Sequence, residues 1–193
     1  MRKLIVTEYM TLDGVMEDPG GGEKGGHGGW SRQFFNDEAG KYKFDELFAA
    51  DALLIGRVTY EGFAAAWPKF KDEAGFADRM NGLPKYVVST SLQKPEWNNS
   101  HVIRGNVVEE VSKLKQQDGL AILVAGSAEL VHTLRQHDLV DEYRFLLHPI
   151  VVGGGKRLFR DAGAYTPLKL IESKTFRTGL MALHYAPEPK EAK

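Results

Sequence analysis

The strongest constraint on the fold of this chain is a regular alternation between short apolar runs and helical patterns. The runs are rich in Leu, Ile and Val and predict buried strands at Leu4–Thr7, Ala52–Ile55, Tyr86–Val88 and Ala121–Val124. The segments between and after them carry apolar residues three or four positions apart and predict helices at Phe34–Phe48, Val58–Trp67, Val107–Gln117 and Ala128–His137. Repeated strand–helix–strand units favour an α/β fold with a mostly parallel central sheet and helices on both faces.

The C-terminal part of the chain predicts an antiparallel edge for this sheet. After a strand at Glu142–Leu147, the segments Leu168–Thr175 and Leu180–Tyr185 indicate two strands that turn around Gly179. The length of 193 residues suits one domain with a sizeable core, and no linker or internal repeat divides the chain. We therefore expect a single α/β domain over residues 1–187 and a loose C-terminal tail over residues 188–193.

Charge and composition exclude several classes of function. The formal net charge is −1, so the chain lacks the excess of Lys and Arg with which proteins bind nucleic acid. It has no cysteine, which excludes disulfides and Cys-ligated metals and fits a reducing cytoplasm, and its six histidines include no i, i+4 metal-binding pair. No run of about 18 apolar residues can span a bilayer, and Glu8 interrupts the N-terminal apolar run too early for a signal peptide. We expect a cytoplasmic protein with no membrane, nucleic-acid or metal partner.

Two glycine-rich segments resemble nucleotide-binding motifs but stand in the wrong context. The segment Gly20–Gly25 matches the dinucleotide-binding pattern of spaced glycines, yet it neither follows a strand directly nor begins an apolar helix. The segment Gly153–Lys156 lacks the first glycine and the final Ser or Thr of a phosphate-binding loop. We interpret the stretch around Gly20–Gly29 as a mobile loop or lid instead.

Two strand-to-helix junctions are better candidates for binding phosphate. At the first, Gly56 ends a strand and is followed by Arg57 and Thr59; at the second, Gly126 and Ser127 occupy the same place. Glycine permits close approach of a phosphate, and the helix that follows offers unpaired N–H groups and a positive dipole end. A solvated arginine would explain the first junction equally well, and at the second, taken alone, an ordinary serine N-cap is the favoured explanation. Glu129 favours the dipole of its helix but repels a phosphate unless it points outward.

Hydroxyl groups also follow the third predicted strand. Ser89 and Thr90 come directly after Val88, and Arg104 comes after the apolar pair Val102–Ile103. These side chains suit a ribose phosphate, although a turn rich in Ser and Thr is the structural alternative.

The order of these motifs resembles that of the dihydrofolate reductase-like superfamily. The resemblance is strongest to the branch that includes the reductase domain of the bifunctional riboflavin-biosynthesis deaminase/reductase. It extends from residue 3 to about residue 185, and the ordered set is specific although each motif alone is weak. The matching segments are Thr11–Val15, Gly56–Glu61, Val124–Leu130, Leu139–Arg144, His148–Gly153 and Gly155–Phe159.

The resemblance implies a three-layer fold that binds NADPH. By this resemblance, Gly56, Arg57 and Thr59 would hold phosphates of the cofactor, and Ser89 and Thr90 would hold the 2′-phosphate of the adenosine end. From its position after Val102–Ile103, Arg104 could neutralise that phosphate. The resemblance also implies that four residues of the second junction lie near the pyrophosphate and the nicotinamide: Gly126, Ser127, Ala128 and Leu130. Glu129 is in the same turn. The resemblance places Asp13 and Gly14 in a loop beside the nicotinamide and the substrate.

Two departures from the family pattern bear on the substrate. The folate enzymes carry an acidic residue five positions after a tryptophan, but that position after Trp30 is Phe35. They also carry a glycine pair, joined by a cis peptide, where this chain has Ala125–Gly126. The pattern therefore favours reduction of a compound such as 5-amino-6-(5-phosphoribosylamino)uracil. The alternatives are a dihydrofolate or pteridine reductase and a non-catalytic NADP-binding protein of the same fold.

A reductase also requires a proton donor and a wall for a planar substrate. By resemblance Asp13 is the first candidate for the donor, Asp37 is the second, and an ordered water is a third option. Trp30, Phe34 and Trp67 are candidates for the aromatic wall, but core packing would explain each of them equally well. The relatives pair as dimers, so we expect a homodimer, with the strand Tyr143–His148 either in the interface or in the core.

Overall fold

The computed structural model describes residues 1–22, 28–159 and 165–188. Within these ranges the chain forms one eight-stranded sheet. Its strands are β1 (Leu4–Thr11), β2 (Ala50–Gly56), β3 (Lys85–Val88), β4 (Ser100–Ile103), β5 (Ala121–Ala125), β6 (Glu142–His148), β7 (Leu168–Thr175) and β8 (Met181–Pro187). The helices are α1 (Asp37–Phe48), α2 (Arg57–Ala66), α3 (Phe76–Gly82), α4 (Val107–Gln116) and α5 (Ala128–Gln136).

The order of the strands is β4-β3-β2-β5-β1-β6-β8-β7. All pairs from β4 to β6 are parallel, whereas β8 runs antiparallel to both β6 and β7. This confirms the mostly parallel sheet with an antiparallel C-terminal edge. Apolar side chains cover both faces, because Leu4 and Val6 of β1 belong to one core cluster and Ile5 belongs to another.

The observed elements differ from the predicted ones where local signals are weak. The first strand continues to Thr11, four residues beyond its predicted end. The first long helix begins at Asp37, because the side chain of Asn36 accepts a hydrogen bond from the backbone N–H of Ala39 (3.0 Å) and caps it. Residues 32–34 form a separate 3₁₀ turn. Strand β4 and helix α3 have no counterpart among the predicted elements.

The C-terminal hairpin holds the first residue of the predicted loose tail, residue 188. Strand β8 extends to Pro187, and the backbone N–H of Glu188 donates to the carbonyl oxygen of Pro167 (3.0 Å). Residue 188 is therefore tied to the domain, and residues 189–193 of the predicted tail lie outside the described residues. Strand β6 is paired on both sides, with β1 and with β8, so it belongs to the core.

The base of the glycine-rich stretch is closed by backbone hydrogen bonds. The N–H groups of Gly21 and Gly29 both donate to the carbonyl oxygen of Asp18, at 3.2 and 2.8 Å. Residues 23–27, at the centre of the predicted lid, lie outside the described residues. Over the described ranges, none of the helices has the length and apolar character needed to cross a membrane.

Candidate functional site

The two predicted corners lie in direct contact. Strands β2 and β5 are neighbours in the sheet, and Gly56 and Gly126 stand at their carboxyl ends. A methyl group on Gly56 would lie 2.6 Å from the Cβ and Oγ atoms of Ser127, and one on Gly126 would lie 2.5 Å from Oγ1 of Thr59. Gly126 also has a φ angle of +70°, which side chains rarely adopt. Each corner therefore packs against a side chain of the other, and glycine is required at both.

A cleft of about 1130 Å³ opens beside the two corners. It lies at the carboxyl ends of β1, β2 and β5, around the point where the strand order reverses, which is the usual ligand position in open α/β sheets. The residues that line it come from β1 (Thr7–Tyr9), from α1 (Lys43, Glu46, Leu47), from both corners (Val58, Thr59, Gly126–Glu129), from the far end of α2 (Gly62, Phe63, Trp67) and from the loops 16–22 and 155–157. A second cavity, of about 670 Å³, contains neither corner.

The helices that follow the two corners begin without side-chain caps. Neither Gly56 before α2 nor Ser127 before α5 makes a side-chain capping hydrogen bond. By contrast, α1 and α4 are capped by Asn36 and Asn106, and Asp72 accepts hydrogen bonds from the first N–H groups of α3. Serine capping therefore does not explain Ser127. Neither N-cap residue therefore offers a side-chain acceptor to the first-turn N–H groups of α2 and α5, which lie beside the cleft.

The remaining cofactor candidates lie at the same edge of the sheet. Arg57 begins α2, and its guanidinium donates to both carboxylate oxygens of Glu61 at 3.0 Å. Val88 pairs with Gly56, so Ser89 comes next to this corner; its hydroxyl accepts from the N–H of Leu92 at 2.9 Å. Arg104 follows β4 and donates to the carbonyl oxygen of Gln93 at 2.9 Å. Thr90 is exposed. Arg57 belongs to the first corner and Ser89 lies next to it, whereas Arg104 follows a strand two positions away in the sheet; none of the four residues lines the cleft.

Within the second corner the candidates separate into two groups. Ala128 and Glu129 line the cleft with Ser127. Leu130 is 4% exposed and packs into the core cluster beneath α5. The peptide between Ala125 and Gly126 is trans.

The two aspartates proposed as proton donors are placed elsewhere. Asp13 accepts from the hydroxyl of Thr11 (2.6 Å) and from the N–H groups of Gly153 (2.9 Å) and Val152 (3.2 Å). These hydrogen bonds, that of Thr11 above all, lower the pKa of Asp13 to about 2. Asp13 thereby joins the turn at Gly14 to the loop after β6. Asp37 is exposed at the start of α1, and neither aspartate lines the cleft.

The aromatic candidates divide in the same way. Trp30 is 5% exposed, donates its indole N–H to the carbonyl oxygen of Glu17 (2.9 Å), and packs edge-on against His148. Phe34 packs against the same histidine, with the ring centroids 5.9 Å apart. Trp67 lines the cleft, and its ring centroid lies 5.4 Å from that of Phe76. Of the three, only Trp67 lines the cleft.

Sequence reasoning missed a buried acid on the floor of the cleft. Glu8 of β1 is 6% exposed, and its Oε1 atom accepts the backbone N–H of Gly126 at 2.8 Å. Burial raises the pKa of Glu8 to about 8, although the Gly126 hydrogen bond and the charge of Lys43 oppose the shift. The available signal was the polar pair Thr7–Glu8 inside the apolar run from Leu4 to Met10.

A buried ionic cluster on α1 borders Glu8. Lys43 donates to the hydroxyl of Thr7 (2.6 Å) and forms an ion pair with Glu46, and the same hydroxyl donates to Glu46 (2.8 Å). Arg144 of β6 approaches Glu46 at 4.0 Å. The opposite charges of Lys43 and Glu46 compensate each other in this ion pair, whereas none of the ion pairs among the described residues includes Glu8.

An eight-stranded sheet of this order, with its cleft at the corners after β2 and β5, defines a dihydrofolate reductase-like α/β protein. The chain belongs to the family of the RibD C-terminal domain, whose model matches residues 2–182. It is 32% identical over 187 residues to the protein YyaP of Bacillus subtilis, covering 95% of this chain and 94% of YyaP.

Solved structures show the same fold. A putative riboflavin biosynthesis protein from Shewanella sp. PV-4 superposes with a TM-score of 0.76 at 20% identity, covering 97% of this chain and 99% of that one. Another solved structure with this fold is that of a diaminohydroxyphosphoribosylaminopyrimidine deaminase/5-amino-6-(5-phosphoribosylamino)uracil reductase from Thermotoga maritima. It superposes with a TM-score of 0.64 at 14% identity, and the match covers 97% of this chain but 57% of that longer protein.

Proposed function

We propose that the protein is an NADPH-dependent reductase that transfers hydride to a small heterocyclic substrate of the 5-amino-6-(5-phosphoribosylamino)uracil type. One observation carries this proposal: the corners at Gly56 and Gly126 touch, and both border a single cleft. Membership of the RibD C-terminal domain family supports a reductase, and the name of the Thermotoga protein includes this reductase activity.

The residues at the corners fit a dinucleotide. The uncapped N–H groups of α2 and α5 and the glycines offer a diphosphate bridge its hydrogen bonds at close range. Thr59 and Ser127 add hydroxyl groups, and Arg57 adds a positive charge at the first corner. Ser89, Thr90 and Arg104 stand beyond Arg57, where they suit the extra phosphate of NADPH. When bound, the reduced nicotinamide supplies the hydride.

The cleft also suits a planar substrate. Phe63, Trp67 and Phe76 supply aromatic rings on one side, and Glu8 with the Lys43–Glu46 pair supplies polar groups on the floor. The folate enzymes carry an acidic residue five positions after a tryptophan, where this chain has Phe35; here the buried carboxyl groups of Glu8 and Glu46 provide acids in the cleft instead. Their presence favours a catalytic protein over a non-catalytic one. They also make a pteridine the second candidate substrate.

The cofactor is tested by titrating the protein with NADPH and with NADH while following nicotinamide fluorescence and the melting temperature. We expect NADPH to bind more tightly and, at a concentration of 100 times its Kd, to raise the free energy of unfolding by about 2.7 kcal/mol. If neither nucleotide shifts the melting temperature at millimolar concentration, the proposed function is wrong.

The variant Arg57→Ala separates binding from folding. Its ion pair with Glu61 is exposed, so its loss should cost less than about 1 kcal/mol of stability. The loss of a charge-assisted contact to phosphate should raise the Kd for NADPH about tenfold. The matched control is Lys113→Ala, which removes an equally exposed i, i+4 pair on α4, away from the cleft. Equal Kd values for the two variants would remove Arg57 from the binding site.

A further inference from the structure

We propose that Glu8 is the acid group that delivers the proton in this reduction. The inference rests on the proposed reductase function, and it assigns to this residue a role that neither its position in the sequence nor the family match suggests. It stands on the contacts of Glu8 within the cleft.

Glu8 is built into the corner at which the cofactor is proposed to bind. Its Oε1 atom accepts the N–H of Gly126, the residue that packs against Thr59 of the other corner. The side chain of Glu8 lines the cleft, so a ligand bound there can contact it. Because the side chain is only 6% exposed, bulk water has little access to it. Any molecule gripped by both corners comes close to this carboxyl group.

The surroundings of Glu8 favour its neutral form. Its neighbour across the sheet is Phe145, so β6 contributes no charge opposite it. Helix α1 contributes Lys43 and Glu46, whose charges oppose each other in an ion pair. Six further charged side chains line the cleft: Glu17, Asp18, Arg32, Glu129, Lys156 and Arg157. Lys156 pairs with Glu17, and Arg157 donates to the backbone carbonyl oxygen of Asp13. With its raised pKa, Glu8 still carries its proton at neutral pH.

The geometry favours Glu8 over the other acids considered for this role. Asp13 faces three donors outside the cleft and is held ionised, so it has no proton to give near neutral pH. Asp37 is exposed at the first position of α1 and does not line the cleft. Glu46 also lines the cleft; its Oε2 atom is engaged with Lys43 and Thr7, and its Oε1 atom, which has no hydrogen-bond partner among the described residues, lies 4.0 Å from Arg144. Two positive charges therefore flank Glu46, whereas none forms an ion pair with Glu8 among the described residues.

The step balances with groups already named. A reduction of C=N, C=O or C=C adds one hydride and one proton; a bound reduced nicotinamide would supply the hydride, and Glu8 would supply the proton. The O–H bond of the carboxyl group breaks, and a new N–H, O–H or C–H bond forms on the atom next to the carbon that receives the hydride. The carboxylate left behind recovers its proton from water entering the cleft.

The test measures proton release on cofactor binding, which needs no substrate. NADP⁺ and NADPH share their phosphates, but only the oxidised ring is positively charged, and a positive charge beside Glu8 lowers its pKa. Calorimetric titrations at pH 7, in buffers of different ionisation enthalpy, should show that NADP⁺ releases about half a proton more than NADPH from the wild-type protein. The variant Glu8→Gln, whose side-chain oxygen still accepts from Gly126, should abolish this difference and keep the Kd for NADPH within about threefold.

The control is Glu109→Gln, which removes a carboxylate from an exposed ion pair on α4, away from the cleft, and should leave the difference in proton release unchanged. If both nucleotides bind but release equal numbers of protons, or if Glu8→Gln releases as many as the wild type, the role of Glu8 is wrong and the reductase function stands. If neither nucleotide binds, both proposals are wrong. Turnover is then measured with dihydrofolate and with 5-amino-6-(5-phosphoribosylamino)uracil. For the substrate that the wild type reduces, Glu8→Gln should lower the turnover by about a hundredfold or more. Undiminished turnover would overturn the role of Glu8.

Discussion

At the scale of single residues, a second group of ionic contacts surrounds Glu142 of β6. This carboxylate is 6% exposed and accepts hydrogen bonds from Lys3 (2.6 Å) and Arg144 (2.8 Å), and it lies 2.8 Å from the imidazole of His184. Burial alone would raise its pKa, but the hydrogen bonds from Lys3 and Arg144 and the nearby positive charges outweigh it and lower the pKa to about 2. Arg144 extends the cluster to Glu46 and hence to the floor of the cleft.

We predict that Glu142 makes stability depend on pH in the acid range. Because its pKa in the folded protein lies below the ordinary value of 4.5, its contribution is fully present above about pH 5 and is lost as the pH falls toward 2. Glu142→Gln should lower the free energy of unfolding at pH 7 by about 2 kcal/mol or more and flatten its fall between pH 5 and 2, as urea unfolding can show. Glu109→Gln, at an exposed pair on α4, should change it by less than about 1 kcal/mol. Equal pH profiles for the wild type and Glu142→Gln would contradict this.

The residues that the sequence predicted and those that it missed differ in a physical way. Gly56 and Gly126 were found because a glycine at a strand end, followed by an amphipathic helix, is a local signal. Glu8 was missed because its role depends on burial beneath Gly126, more than a hundred positions along the chain. A charged residue ends a predicted strand, whereas the tertiary structure continues β1 through it.

At the scale of elements, the parallel order was predictable but the neighbours were not. The repeated strand–helix–strand units indicated a parallel sheet, yet nothing in their order along the chain indicates that β5 lies between β1 and β2. That insertion is what brings the two corners together. Strand β4 and helix α3 were missed because each is short: β4 has four residues, three of them not fully buried, and α3 has seven residues and follows Gly75.

We predict that the contact between the corners can be disturbed and then restored. Gly56→Ala places a methyl group 2.6 Å from the side chain of Ser127, and such overpacking should cost about 1–3 kcal/mol of stability and weaken NADPH binding. The double variant with Ser127→Gly removes the atoms that the methyl group meets, so the double-mutant cycle should show a favourable coupling of about 1 kcal/mol or more. Thermal unfolding of all four proteins measures it.

Gly40→Ala is the matched control within a helix. Its methyl group would meet only Phe35, at 3.7 Å, so it should stabilise α1 by about 0.5–1 kcal/mol. If Gly56→Ala behaves in the same way, or if Ser127→Gly does not relieve it, the two corners do not depend on each other as the packing indicates.

At the scale of the whole molecule, the C-terminal edge of the sheet is unlike the rest of it. Strand β7 is the last strand in the sheet order and is exposed along almost its whole length. Its apolar residues Leu170 and Ile171 are 49% and 52% exposed, and Met181 on the adjacent β8 is 37% exposed. An exposed strand edge can pair with another chain, and exposed apolar patches mark interaction sites. The homodimer is still a prediction, and this edge, in place of the buried β6, is where we expect its interface.

We predict that Ile171→Lys converts a wild-type dimer into a monomer. In a two-fold interface the same residue stands on both partners, so each dimer acquires two new charges that must be desolvated without a counter-ion. Light scattering combined with size-exclusion chromatography measures the mass directly. Leu120→Lys is the control, because Leu120 is 51% exposed in the turn before β5 and away from β7. A monomeric wild type would refute the dimer, whereas a dimer that survives Ile171→Lys would place the interface elsewhere. Because β7 and the corners occupy different parts of the sheet, we expect the monomeric variant to bind NADPH with an unchanged Kd.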